Sequence, residues 1–392
     1  MSELSPIRRS IYSYSPSAAC PLVQNEKTFA CSPRLQANAQ FCPAGALAYS
    51  NMCPHAQPHR SLSGLSLTDH IMEINNLQTL SKAIHEIAPF CVGWALTDEV
   101  GDLESLSGAK RRMLMYKEFD IPKRSGGARR ITAPIGKLKD IQKCISVILS
   151  RYYQSPDCVH GFSEGKSVAT NAHKHVGNNY VFNIDLQDFF PSISYVRVSK
   201  ALEHIGFNEE ISNLIARLCT IPIRDEQRQI WRSVLPQGSP ASPLLSNIVC
   251  IPLDRRLSHL ADKYNLAYSR YADDITFSSN HCVYAQEGHF RKELKEIIES
   301  SGFKINEKKT RLQKKGARQE VTGVIVSDKI NTYRQYTKNL RAAVFHAETN
   351  GCTAKEFNNI MGRISYLAMV RGSEDSLVKR FRARMSRATI RK

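Results

Sequence analysis

Ala267-Tyr268-Ser269-Arg270-Tyr271-Ala272-Asp273-Asp274-Ile275-Thr276-Phe277-Ser278 is the stretch on which the fold turns. Apolar and polar residues alternate on both sides of its centre, as they do in half-buried strands. Residues 267–270 and 275–278 therefore read as the arms of a β-hairpin with Tyr271-Ala272-Asp273-Asp274 at the turn. Asp is a common turn residue, and a solvated Asp-Asp turn has the same letters. Adjacent carboxylates also repel each other, and a fold that displays them together usually has a cation to hold.

A third carboxylate lies upstream. Val181-Phe182-Asn183-Ile184-Asp185-Leu186-Gln187-Asp188-Phe189-Phe190 is an apolar, β-prone run that brings Asp185 to a strand end, followed by Pro191-Ser192-Ile193 and a helical pattern. Asp188 reads as the cap of that helix. If the two strand ends meet in one sheet, Asp185, Asp273 and Asp274 surround two Mg²⁺ ions about 3.5–4 Å apart, the geometry of nucleotidyl transfer. Magnesium suits such a site because it takes oxygen ligands and shares its remaining positions with substrate phosphates. Between the acids lies Leu235-Pro236-Gln237-Gly238-Ser239-Pro240-Ala241-Ser242-Pro243. There Gly238 admits close backbone approach, Ser239 is placed to cap a helix and Pro240 fits its first turn. Any loop-to-helix junction has the same features.

In this order the segments resemble the reverse transcriptases. Asp185 matches the first palm motif, Gln237-Gly238 the following loop and helix, and Tyr271-Ala272-Asp273-Asp274 the catalytic hairpin. Gly302-Phe303-Lys304-Ile305-Asn306-Glu307-Lys308-Lys309-Thr310 resembles the next motif, a helix end running into a short strand. Gly126-Gly127-Ala128-Arg129-Arg130-Ile131-Thr132-Ala133-Pro134 resembles the fingers segment that supplies a triphosphate-binding arginine. The likeness runs roughly from Tyr116 to Glu348 and rests on five ordered motifs.

The resemblance implies an α+β, right-hand polymerase: fingers, a palm built on an antiparallel sheet with helices on one face, and a small, helical, basic thumb. The expected division is a low-complexity, flexible extension over 1–65, N-terminal helices and fingers over 66–180, palm over 181–328 and thumb over 329–392. It also implies roles. Asp185 and Asp273 hold both Mg²⁺ ions, Asp274 completes the site, and the Leu186 carbonyl is a further candidate ligand. Arg129 or Arg130, with Lys308 or Lys309 (Lys309 taken first), meets the triphosphate. Gln237 touches nucleotide or template. Phe190 lies under the incoming sugar and excludes a ribose 2′-OH, although an ordinary core phenylalanine reads the same way.

Two further segments resemble elements of one branch, the retron reverse transcriptases. Asn171-Ala172-His173-Lys174-His175 fits their Asn-Ala-x-x-His element and Val321-Thr322-Gly323 their Val-Thr-Gly element. Physically, the two histidines are either metal ligands or, more commonly, a satisfied polar cluster, and 321–323 reads as the start of a strand ending in Val324-Ile325-Val326. For a retron enzyme the resemblance implies a cognate structured noncoding RNA as template and primer source. Deoxynucleoside triphosphates are the substrates, and priming comes from the 2′-OH of an internal guanosine. The product is a branched, RNA-linked cDNA (multicopy single-stranded DNA). It also implies antiphage defence with an effector protein of the same operon. No nuclease signature is evident, so template removal falls to a host ribonuclease H. The alternatives are another defence-associated reverse transcriptase, a group II intron maturase, which normally has a longer region after the thumb, and a noncatalytic RNA-binding protein of the same fold.

Composition is consistent with a polyanionic partner. Lys and Arg total 54 against 36 acids, a formal charge of +18. From Arg371 onward Lys379, Arg380, Arg382, Arg384, Arg387, Arg391 and Lys392 outweigh Glu374 and Asp375; such a run suits a thumb gripping phosphates, or simply a solvated helix face. No apolar run approaches the roughly 20 residues of a membrane span, so no membrane partner is expected. Arg8-Arg9 is followed by polar residues rather than a secretory core, so the expected location is the bacterial cytoplasm. The 11 cysteines are then reduced, with Cys144, Cys219 and Cys250 in core contexts.

The first 60 residues are rich in Ser, Pro, Ala, Gln and Asn. Cys20, Cys31, Cys42 and Cys53 recur eleven apart with His55 and His59 nearby, but close Cys-x-x-Cys pairs are missing. A flexible arm, or a start site upstream of Met52 or Met72, is preferred to a zinc site. From Ser66 an amphipathic stripe begins, with Leu67, Ile71, Ile74, Leu77, Leu80, Ile84 and Ile87 at helical spacing. A second helix is expected from about Lys137 to Tyr153, giving Arg129 and Arg130 a rigid mount.

Overall fold

The computed structural model describes residues 74–94, 96, 100–123, 126–225 and 230–391. The expected extension over 1–65, with Cys20, Cys31, Cys42, Cys53, His55 and His59, lies outside the described residues.

Helix α1 spans Leu77–Val92. It opens with a reciprocal cap: the Asn76 side chain accepts from the Thr79 amide at 2.9 Å, and the Thr79 hydroxyl accepts from the Asn76 amide at 3.1 Å. The stripe expected from residue 66 is thus helical, among the described residues, only from Leu77; Ile74 lies ahead of the cap yet is still buried. Short helices α2 (Val100–Ser107) and α3 (Ala109–Leu114) lead into a hairpin of β1 (Tyr116–Pro122) and β2 (Ala128–Pro134). Helix α4 (Gly136–Tyr152) follows where expected. Its Leu138, Ile141, Cys144, Ile145, Ile148 and Leu149 recur every three or four residues, and this buried face packs on α1.

The next segment alternates caps and strands. Ser167 caps α5 (Val168–His173), β3 covers Tyr180–Asp185, Ser194 caps α6 (Tyr195–His204) and Asn208 caps α7 (Glu209–Cys219). Asp188 is therefore not the cap of the helix after the first acid. The turn through Pro191 postpones the helix to Ser194, while Asp188 itself takes a left-handed φ of +46°. A second hairpin, β4 (Ile221–Asp225) and β5 (Ile230–Val234), precedes α8 (Ser242–Val249) and α9 (Ile251–Lys263). The Ser239 hydroxyl accepts from the Ala241 and Ser242 amides at 3.1 and 3.4 Å, but the proline in the first turn of α8 is Pro243 rather than Pro240.

The expected acidic hairpin follows as β6 (Ala267–Tyr271) and β7 (Asp274–Ser279), then α10 (His289–Ser300) and β8 (Arg311–Lys314). These strands form one antiparallel sheet in the order β6-β7-β3-β8. Because side chains alternate along a strand, the sheet has two distinct faces. Phe182, Tyr268, Ile275 and Phe277 are buried in the main core with Leu253 and Leu257 of α9 and Phe290, Leu294 and Ile298 of α10. The other face carries Asp185, Ser269, Asp274 and Ser278. Val181, also on that face, is covered by a smaller cluster with Val168, Ala172, Val321, Val324, Val326 and Val370.

Strands β9 (Glu320–Val321), β10 (Val324–Val326) and β11 (Ile330–Asn331) make a three-stranded sheet. Thr322 and Gly323, at φ +47° and +78°, form the two-residue turn between β9 and β10. Val321 thus ends β9 and Thr322-Gly323 are the turn, so 321–323 is not the start of the strand Val324–Val326; positive φ at both central residues marks a type I′ connection. The chain ends in α11 (Arg334–Asn350), β12 (Cys352–Thr353), α12 (Ala354–Arg371), α13 (Ser376–Met385) and β13 (Ile390–Arg391). Leu340, Val344, Ile360, Ile364, Leu367, Val378, Phe381 and Met385 give these helices their own core. Among the described residues no helix is long and apolar enough to cross a membrane.

Candidate active site

Asp185 and Asp274 end the two inner strands of the sheet and stand directly opposite each other in the β3–β7 register. Asp273 occupies the turn beside them, where its carbonyl accepts from the Leu186 amide at 3.0 Å. One carboxylate oxygen of Asp185 accepts from the Asn306 side chain at 2.9 Å, and the other from the Lys309 ammonium at 2.8 Å. Asn306 also donates its backbone amide to the Asp185 carbonyl at 2.8 Å. No role for Asn306 is legible in the sequence, where it is one polar residue in a basic run.

Burial, then the neighbouring Asp185 charge, pushes Asp273 above the usual carboxylate range; Lys309 and Arg129 pull the other way. Crowding by surrounding protein and repulsion from Asp273 and Asp185 push Asp274 up to about 7. Its side chain is exposed at the surface, so repulsion is the firmer cause. For Lys309, partial burial opposes the charge, but Asp185, Asp273 and Asp274 outweigh it and raise the pKa. Three carboxylates without sulfur or nitrogen donors match the preference of magnesium. Among the described residues, however, no three such side chains are gathered into a ready cage. Each Asp185 oxygen accepts one hydrogen bond, from Asn306 or Lys309, and keeps a further lone pair with which it could hold a cation.

The hairpin is braced from its helix-facing side by residues that sequence reasoning passed over. Arg270 is fully buried and grips Asp254 of α9 with two hydrogen bonds of 2.7 Å. Its remaining nitrogen reaches the Asn247 side-chain oxygen and the Ala272 carbonyl, each at 3.1 Å. Asn247 in turn donates to the Gly161 carbonyl at 2.9 Å. A Cβ on Gly161 would lie 2.5 Å from the Ala272 amide nitrogen, so only glycine lets this loop touch the turn. Together these contacts hold Ala272 at φ +56°, a conformation a side chain disfavours.

Arg129 and Arg130 point to opposite faces of β2, as strand alternation requires. Arg130 is exposed and lies 3.9 Å from both Glu118 and Asp120, whereas the field of Arg129 reaches Asp273. The Gln237 carbonyl accepts from the Thr132 amide at 2.8 Å. Gly238, at φ +129°, leaves no room for a Cβ against Ile131, so the loop carrying Gln237 is seated on the arginine-bearing strand. Phe190 is half-buried, with ring contacts to Phe189 at 5.3 Å and Phe162 at 6.4 Å. Lys308 is exposed, and it is Lys309 that meets the acids.

Asn171 and His175 are both buried. The Asn171 side chain donates to the Thr322 hydroxyl at 3.3 Å, bringing the two outlying motifs together. His175 bonds Ser278 through Nδ1 and Ser269 through Nε2, each at 2.7 Å, clasping both strands of the acidic hairpin. It belongs to a satisfied polar cluster, and His173 is exposed away from it. Val321 is fully buried, and Gly323 completes the turn.

This arrangement agrees with comparisons to known proteins. Residues 121–330 match the family described as reverse transcriptase (RNA-dependent DNA polymerase). The chain belongs to that family, whose members act on RNA templates and in general depend on divalent metal. Retron Mx65 reverse transcriptase of Myxococcus xanthus is 34% identical over 71% of this chain and 67% of its own length. Retron Ec86 reverse transcriptase of Escherichia coli is 33% identical over 62% of this chain and 72% of its own. The chain is thus a reverse transcriptase of the retron type, with the right-hand polymerase fold of that family. A foamy viral protease-reverse transcriptase solved with double-stranded DNA matches at a TM-score of 0.41 and 16% identity, covering 71% of this chain and 40% of that one.

Proposed function

We propose that this chain copies a cognate structured RNA into DNA by nucleotidyl transfer at Asp185, Asp273 and Asp274. The observation that carries the proposal is the register of the two inner strands, which sets Asp185 opposite Asp274 with Asp273 adjoining. These acids would hold two Mg²⁺ ions. When bound, magnesium lowers the pKa of a primer hydroxyl and stabilises the leaving pyrophosphate. The protein's own groups orient the reactants: Arg129 and Lys309 offset triphosphate charge, the loop at Gln237 borders nucleotide or template, and Phe190 lies under the sugar. Arg129 is preferred to Arg130 because Arg130 faces Glu118 and Asp120.

The proposed parts are N-terminal helices and fingers over 66–180, palm over 181–328 and thumb over 329–392; the separate core from Leu340 to Met385 supports a distinct C-terminal part, while β11 at its start still pairs with β10. Likeness to retron enzymes supports the finer reading: priming from an internal guanosine 2′-OH, a branched multicopy single-stranded DNA, an effector of the same operon in antiphage defence, and host ribonuclease H in a bacterial cytoplasm. Buried Asn171 and His175 act in this scheme by holding the palm together, and any RNA reading by this branch falls to surface residues around them.

The test is primer extension on an RNA template by the full chain with magnesium and deoxynucleoside triphosphates. Asp273→Asn with Asp274→Asn abolishes synthesis while RNA binding persists. Continued deoxynucleotide incorporation by that variant would overturn the proposal. For the finer reading, co-expression with RNA encoded beside the gene yields DNA covalently joined to RNA; unbranched DNA would refute it.

A further inference from the structure

Phe162 has φ +58°, a backbone region that aromatic residues rarely enter. Such a conformation persists only where neighbours over-determine it. The neighbours are Gly161, pressed against the Ala272 amide with no space for a Cβ, and Asn247, which holds the Gly161 carbonyl at 2.9 Å. The path of the chain through residue 162 is therefore fixed by the acidic hairpin itself. Its ring neighbours both that of Tyr271, at 6.5 Å, and that of Phe190, at 6.4 Å, each within the range of aromatic pairing.

Among the described residues two rings touch Phe190. Phe189 adjoins it in sequence and stacks on Phe303 at 5.6 Å; Phe162 alone comes from a different segment and is keyed to the acids. We propose that Phe162 is a positioning residue for sugar selection: it fixes the Phe190 ring relative to the Asp273-Asp274 turn, and so sets how strictly a 2′-OH is refused. This rests on the reading of Phe190 as the ring under the incoming sugar. A small displacement of that ring matters because steric discrimination falls off over a single carbon's width.

The test measures kcat/KM for ribo- and deoxynucleoside triphosphates on one primer–template. Phe162→Leu, which keeps bulk but loses the ring, and Phe162→Ala should raise the ribo-to-deoxy ratio by about tenfold. Phe162→Tyr should restore it. Phe190→Ala should raise it at least as much, and adding Phe162→Ala to that variant should raise it no further, since Phe162 acts through Phe190. If Phe190→Ala shifts the ratio while Phe162→Leu lowers both substrates equally, the inference fails and the reading of Phe190 stands. If Phe190→Ala leaves the ratio unchanged, the reading of Phe190 fails and takes the inference with it.

Discussion

The side chain of Asn171 donates to the hydroxyl of Thr322 across 151 residues of sequence. Thr322 is β-branched, yet it sits at φ +47° in a two-residue turn. Local preference opposes that conformation, so the bond and the packing of Val321, Val324 and Val370 with Val168 and Ala172 must hold it. Val370 belongs to α12, so this small cluster also ties the C-terminal helices to the sheet that carries the acids.

Removing the bond should therefore be felt as stability. Asn171→Ala and Thr322→Ala are each expected to cost about 1 kcal/mol, with a coupling of about 0.5–1.5 kcal/mol in a double-mutant cycle. Urea unfolding measures it. Strict additivity would mean that the bond contributes nothing.

Acid should weaken the same region. Burial pushes His175 down to about 3 and, with help from Lys174 and Lys166, His160 down to about 4. An unfolded histidine titrates near 6.5, so between there and the folded values the unfolded chain binds protons that the native chain refuses. The histidines' contribution is fully present above about pH 6.5 and declines as pH falls, by up to ~1.4 kcal/mol per pH unit for each, while Asp274, raised to about 7, contributes with the opposite sign over the same range. Unfolding midpoints of the unchanged chain and of His175→Gln, compared between pH 7 and 5, isolate the histidine contribution: the carboxylates are common to both, and the variant should lose about one proton's worth of the slope.

The two adjacent arginines should separate kinetically. Arg129→Ala is expected to raise KM for the incoming nucleotide by about tenfold or more, and Arg130→Ala to change it little. Equal effects would show that the alternation of β2 does not decide which one meets the triphosphate.

The brace beneath the turn should be costly to break. Arg270→Ala leaves Asp254 buried without its partner, an expected loss of about 3–5 kcal/mol. Gly161→Ala, which forces a backbone shift at Ala272, should lower kcat more than it lowers the unfolding midpoint. Thermal melts and single-turnover extension distinguish the two variants.

The basic end needs point changes rather than truncation, because α13 contributes Val378, Phe381 and Met385 to its own core. Part of its charge is already neutralised: Lys379 pairs with Glu374 at 2.6 Å and Arg384 with Glu348 at 2.5 Å. Arg380→Gln with Arg382→Gln should weaken RNA affinity and flatten its salt dependence, by about 0.7–0.9 in log–log slope for each phosphate no longer neutralised. An unchanged slope would make this face a solvated surface only.

The sequence made the acid-bearing strands and α4 legible because alternation and the three-to-four repeat are local signals. It misled at Asp188, because a proline turn delayed the helix by several residues, and at Thr322, because a β-branched residue does not announce a left-handed turn. The Arg270–Asp254 pair and the requirement for Gly161 arise only when distant segments meet. Arg129 could be told from Arg130 only once Glu118 and Asp120 lay across the hairpin.

The acids Asp185 and Asp274 stand on the inner strands of a four-stranded sheet, with β6 and β8 outside them. Edge strands fray first in thermal fluctuations, and that applies here to β8 rather than β6, because Arg270 of β6 exchanges backbone hydrogen bonds of 2.8 Å with Cys158 and His160 on its outer side. Fraying here can loosen the rim while leaving the facing pair in step. The spacing between the two carboxylate-bearing backbones is thereby insulated from breathing at that border, and should persist at temperatures where β8 already exchanges its amide hydrogens.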